Sequence, residues 1–252
     1  MRILICGSSK QMRNDIYRSA NRWALISIVG TIFYVLLDIL VQLLPPHYSA
    51  LREAESLLAV EPYGFIMNLN FLIRGTLSFS IIVAIASIRA SMRVSASGEG
   101  EAIPSSIPPS EGMQRDAKAS LTMTGSPGAG MIFFGLWSAG SFLLGFFNTD
   151  THGAIHFTFH GTIHLLLALV AFVCAPIGEI LLSTSFGRAK ELSGLCTPAL
   201  SIGILSALLL LLQFAGSRLG YFGLFERMFI GSVLLWGVVV SFNLIRPRAL
   251  QA

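Results

Sequence analysis

Six stretches of about 20 mostly apolar residues set the first constraint on this chain, because a helix of that length spans the roughly 30 Å hydrocarbon core of a bilayer. They cover residues 23–44, 65–88, 130–147, 155–177, 198–215 and 224–245, each bounded by charged or turn-forming residues. Pro45-Pro46 ends the first, since proline has no N–H to give and its ring clashes with the preceding turn. Only helices and closed barrels satisfy their backbone in lipid, and the strict alternation of barrel strands is absent. With 54% hydrophobic and 12% charged residues, the composition agrees. The sequence predicts an all-α integral membrane protein, a six-transmembrane-helix bundle sited in the plasma membrane, with the lipid bilayer as its first partner.

Orientation follows from the basic residues, which collect on the cytoplasmic side of membrane proteins. Arg2, Lys10, Arg13, Arg18 and Arg22 precede the first span. Arg89, Arg93, Arg115 and Lys118 lie between the second and third, Arg188 and Lys190 between the fourth and fifth, and Arg246 and Arg248 after the last. The alternate loops carry only Arg52 and Arg218. All four basic segments fall on one side of a six-span chain, which predicts cytoplasmic N- and C-termini. The net charge of +4 punctuates apolar runs and forms no basic domain, so no nucleic-acid partner is expected.

The same reading divides the chain into a basic cytoplasmic N-terminus (1–22), two membrane helices with an outer loop (23–93), a linker (94–128), a four-helix segment (129–246) and a tail (247–252). The linker, rich in Ser, Pro and Gly, is too poor in large apolar residues to bury a core; it is expected to be disordered and to offer a contact for a cytoplasmic partner. In the outer loop, ALREAESLL places Leu51, Ala54, Leu57 and Leu58 on one helical face, predicting a short surface helix that Ser49 could cap. The opening apolar run Ile3–Cys6 is too short for a signal-peptide core. Cys6, Cys174 and Cys196 have no metal-type spacing, and no disulfide framework is implied.

Charged side chains within apolar spans cost about 2.5 to 3.5 kcal/mol each and call for partners. Asp38 lies about 9 Å inside the outer end of the first helix and Arg74 about 13 Å inside that of the second. Glu226 and Arg227 open the sixth helix, and Asp150 precedes the fourth. Arg74 is expected to pair with Asp38 or Glu226, as a purely structural ion pair or as part of a site. Glu179, at the cytoplasmic end of the fourth span, reads as a solvated boundary charge.

Four of the five histidines lie in HGAIHFTFHGTIH, at a spacing of four. On a helix, neighbours in that run share a face, while His152 and His164 stand about 18 Å apart and about 120° around. All four cannot serve one ion. His156 and His160 could ligate zinc if Asp150, Glu226 or Asp38 completed the set. The only other histidine, His47, sits in the outer loop, so a bis-histidine haem is disfavoured. The imidazoles could equally bind neighbouring helices or handle protons. No cofactor is required by the pattern.

The outer Tyr48-Ser49 loop, LGFFNTD followed by the histidine run, and ERMFIGSVLLW in the last span resemble a prokaryotic six-span family known as domain of unknown function 998. The resemblance implies a matching fold, an acid before a histidine-bearing helix at Asp150, His152 and His156, and a Glu-Arg pair at Glu226 and Arg227. It leaves His160 and His164 without family support and implies no reaction.

Three functions follow as expectations. One is an outward-facing polar cavity, built from Asp38, Arg74, Asp150, His156, His160, Glu226 and Arg227, that binds a small ligand, proton or ion. Another is a membrane-embedded, metal-dependent hydrolase acting on lipid. The third is a structural or partner-binding membrane protein. The oligomeric state is not encoded in any motif, and no broken-helix pair points to a transporter.

Overall fold

The computed structural model describes residues 2–44, 48–60, 62–100, 127–151, 155–189 and 192–245, with backbone alone for 2–10, 12, 13, 93–100 and 127. All regular structure in these residues is helical: α1 (Arg2–Gln42), α2 (Gly64–Gly100), α3 (Pro127–Leu143), α4 (Phe159–Phe186), α5 (Ser193–Leu219) and α6 (Phe222–Ile245), with short 3-10 helices at Glu55–Ala59 and Leu144–Phe146. Each of the six contains a stretch long and apolar enough to cross a membrane. The protein is therefore a multi-pass membrane protein with lipid against its outer faces.

Consecutive helices pack side by side and α6 returns to α1, closing a ring, while α2 and α6 also touch across it. These two form the centre, with more than half of their apolar stretches buried, against little more than a quarter for α1 and α5. On α1, Ala20, Ala24, Ser27, Thr31, Tyr34, Asp38 and Val41 alternate steps of four and three, tracing one stripe. All but the half-buried Asp38 are buried, while Ile32, Phe33, Leu36 and Ile39 face outward. The stripe is small at one end and carries Tyr34 and Asp38 at the other, so close helix approach gives way to a polar interior.

Small residues set the remaining approaches. A Cβ on Gly75 would meet the Phe142 backbone nitrogen at 2.6 Å, and one on Gly178 the Phe134 nitrogen at 2.6 Å. Here α2 and α4 lie directly against the backbone of α3, the contact that small residues permit in membranes. Trp137 Nε1 donates to Ser78 Oγ and Trp236 Nε1 to Ser183 Oγ, both at 3.0 Å, so the two fully buried indoles have polar partners. Gly178→Ala should cost about 1–3 kcal/mol, because the obstructing atom is backbone and cannot rotate away. Gly231→Ala meets nothing within 4 Å and should gain up to about 1 kcal/mol of helix propensity. Thermal unfolding of the purified protein in detergent checks both signs.

Several helix boundaries differ from the sequence reading. The backbone of α1 begins at Arg2, so the basic N-terminal segment continues the first span. Helix α2 carries on to Gly100, seven residues into the expected linker; residues 101–126 lie outside the described residues. Helix α4 begins at Phe159 and ends at Phe186, later at both ends than 155–177. That shift carries Glu179 inside the bundle, where it is fully buried, and corrects its reading as a solvated boundary charge. Neither carboxyl oxygen has a hydrogen-bond partner among the described residues. An orphaned buried polar group costs about 1–3 kcal/mol, so Glu179→Met should raise the unfolding free energy by that order. A loss of stability would instead mean that the carboxyl is bonded in the native bundle.

Candidate functional site

The loop between α1 and α2 determines the chemistry at its end of the bundle. The expected surface helix does not form. Arg52 and Glu53 N–H groups bond back to the Ser49 carbonyl, and Glu53 Oε2 accepts from Ser49 N–H at 2.6 Å, making a tight turn. A 3-10 helix follows and turns Glu55, Leu58 and Ala59 inward, while Leu51 faces out.

Arg227 fastens this loop to α6. Its Nη1 donates to the carbonyls of Ala50, Gly223 and Glu53 at 3.0, 3.3 and 3.4 Å, and its Nη2 donates to Tyr48 Oη at 2.7 Å. The guanidinium also lies 5.2 Å from the Tyr48 ring centroid. Tyr48 Oη shares its proton between the Glu53 and Ala54 carbonyls, at 2.7 and 2.8 Å. Burial raises the Tyr48 phenol above its ordinary value despite the opposing Arg227 charge, which keeps it a donor at neutral pH. Gly223 is required at the contact: a Cβ there would overlap the Glu53 carbonyl oxygen.

So held, the loop delivers Glu55 to Arg74. Arg74 is 1% exposed, about 15 Å along α2 from Gly64, and its Nη1 donates to Glu55 Oε2 at 2.9 Å and to Tyr34 Oη at 3.3 Å. Tyr34 Oη in turn donates to Glu55 Oε1. The guanidinium lies 5.0 Å from the Phe71 ring, 5.2 Å from Trp137 and 5.8 Å from Tyr34. Glu226 Oε2 accepts the Glu55 backbone N–H at 2.7 Å, tying α6 into the same cluster. Asp38 stands within electrostatic reach of Glu55, Arg227 and Arg74; its Oδ2 accepts from Gln42 at 2.6 Å, and its Oδ1 is buried without a partner. Asp38, Arg74, Glu226 and Arg227 thus come together around Glu55, a carboxylate that the sequence reading did not name among the site residues.

Asp150, His156 and His160 do not join them. Asp150 accepts the Thr158 hydroxyl at 2.6 Å and its N–H at 3.1 Å, while Thr158 Oγ1 caps α4 by accepting from Gly161 N–H at 3.0 Å. This relay starts the helix at Phe159, so His156 precedes it and the proposed i, i+4 zinc pair never shares a helical face. Both histidines are exposed, with His160 against the Phe147 and Phe159 rings. Among the described residues no three His, Cys, Asp or Glu side chains lie close enough to share an ion. His47 and His152 lie outside the described residues.

The histidine that does turn inward is His164, 2% exposed, with Nδ1 2.6 Å from the Phe147 carbonyl. A carbonyl only accepts, so Nδ1 carries the proton and Nε2 is left to accept. Beside it lies a cavity of about 320 Å³, reached by Glu55, Arg74, His164, Gln213 and Glu226, with Ser56 and Thr149 also on its wall and apolar residues over the rest. That volume is at the lower end for small-molecule sites.

Fold and cluster together define a multi-pass membrane protein with a charged interior beneath a docked loop. The chain belongs to the family described as protein of unknown function (DUF998), whose profile matches residues 118–243. No curated protein and no solved structure matches it. The matched stretch holds α3 to α6, including Asp150, the histidine run, Glu226 and Arg227; Tyr34, Asp38, Glu55, Arg74 and the outer Tyr48-Ser49 loop lie before it and are not covered by the match.

Proposed function

We propose that this protein binds a small ligand in the cavity beside Arg74, on the outward side of the membrane if the basic segments are cytoplasmic. One observation supports this above the others: α2, α6 and the docked loop each send a charged side chain to the wall of one cavity, joined there by His164 and Gln213. A cluster serving packing alone would be closed over by side chains, since unfilled polar space in a bundle core is costly.

Thermal unfolding of the purified protein with n-butanol, n-butylamine or butyrate tests the reading. A ligand at ten times its Kd adds about 1.4 kcal/mol, or roughly 3–6 °C for a chain of this size. At least one probe should stabilise the wild type and fail on Glu226→Gln. Equal effects on both proteins, or none on either, would count against the cavity.

A second reading is favoured by charge. Asp38, Glu55 and Glu226 outnumber Arg74 and Arg227 by one carboxyl, which a proton or monovalent cation would balance. Stabilisation by sodium or potassium chloride over choline chloride, lost in Asp38→Asn, would mark that reading.

A further inference from the structure

The cavity has two unlike parts. Arg74, His164, Gln213 and Glu226 gather at its head, while the rest runs beside Ala168 and Phe172 of α4 with Leu210 opposite on α5. From His164 to Val173 it follows α4 for about 13 Å.

Its side wall is open towards lipid. Leu165, Leu169 and Val173 line the cavity yet are 48, 56 and 43% exposed, and Phe214 across from them is 63% exposed. Residues four apart share one helix edge, so the three α4 side chains and Phe214 form the two lips of a slot between α4 and α5. The slot arises because these helices pack tightly elsewhere, where a Cβ on Gly203 would come within 3.1 Å of Glu179 Cβ and 3.2 Å of an Ile180 side-chain carbon.

The head has unmet hydrogen bonds of both kinds. Gln213 is 5% exposed and its Oε1 has no partner; Arg74 Nε is a buried donor with none. His164 Nε2 is a further acceptor once Nδ1 is committed to Phe147. A carboxylate could not donate to Gln213, and an ammonium could not accept from Arg74. A hydroxyl does both.

Building on the cavity reading above, we propose that the site takes a single-chain amphiphile with a hydroxyl head from the surrounding bilayer. The tail enters through the α4–α5 slot and lies along Phe172 and Leu210. The hydroxyl donates to Gln213 Oε1 and accepts from Arg74.

Photolabelling in phosphatidylcholine nanodiscs tests this, with hexadecanol, hexadecylamine and hexadecanoate each carrying a diazirine. The alcohol should form adducts on residues 165–173 or 210–214, competed by unlabelled hexadecanol, with the carboxylate at least tenfold weaker and the amine between them. Gln213→Leu should reduce alcohol labelling at least tenfold, and Val173→Trp or Leu169→Trp, filling exposed lip positions, should abolish it. Equal labelling by all three probes, or labelling unchanged in the lip variants, would mean unselective lipid contact and overturn the proposal. Stabilisation by butanol without any labelled adduct would overturn entry from the bilayer and leave the cavity reading standing. Neither stabilisation nor adduct would overturn both.

Discussion

Arg74→Met should lower the unfolding free energy by about 3–5 kcal/mol, the cost of removing one partner from a buried ion pair. The loss reaches beyond one contact. Glu55, at 3% side-chain exposure, would lose the guanidinium it is paired with, and Glu226, 6% exposed, would keep a neighbouring carboxylate with less positive charge nearby. Arg74→Lys should recover little, since an ammonium has no planar face to lie among Phe71, Trp137 and Tyr34. The informative variant is the pair Arg74→Met with Glu55→Gln, which removes both charges and should return most of the lost stability. Unfolding in detergent micelles, measured for wild type, both singles and the double, gives the coupling directly. A single-variant loss below about 1 kcal/mol, or a double variant as poor as the sum of the singles, would mean that the pair is solvated.

Arg74 was legible because one arginine in an apolar span demands a partner. The identity of that partner was not. Sequence offered Asp38 and Glu226, the acids within or at the ends of spans, because Glu55 falls in a segment with strong helix formers and a plausible amphipathic face. Tertiary contacts override that local preference: Arg227, Tyr48 and Glu226 together make six hydrogen bonds that hold the loop, three from Arg227, two from Tyr48 and one to Glu226. The helix count was readable from hydropathy, but which faces turn inward was not, because lipid and core are equally apolar. The exception was the stripe of small and polar residues on α1, whose spacing from Ala20 to Val41 could have placed Tyr34 beside Asp38. The histidine run misled for a different reason. Its spacing of four suggests one continuous helix, yet Thr158 with Asp150 supplies an N-cap in the middle of it, leaving only His160 and His164 helical among the described histidines. An Asp eight residues from the Thr it supports forms no local sequence pattern, so that cap emerges only in three dimensions.

Releasing the loop should be the second large effect. Arg227→Met removes a charge that donates to Tyr48 and to the carbonyls of Ala50 and Glu53, and hydrogen bonds to charged groups contribute about 1.5–3 kcal/mol. Amide exchange in residues 48–60 should accelerate about ten- to a hundredfold, with α3 and the far ends of α4 and α5 unchanged. Tyr48→Phe should give a smaller acceleration, because the ring stays against the guanidinium while the hydroxyl's bonds to Glu53 and Ala54 are lost. The consequence for the interior follows from chain geometry. Glu55 lies two residues beyond the Arg227-bound Glu53 carbonyl, and its own N–H is held by Glu226, so a loosened loop withdraws the carboxylate from Arg74. Arg227→Met combined with Arg74→Met should therefore cost less than the two singles added together, since each weakens the same seat for Glu55. Strict additivity, with loop exchange unchanged in Arg227→Met, would show that the loop docks through its apolar residues alone and that Arg227 plays no part in presenting Glu55 to the cavity.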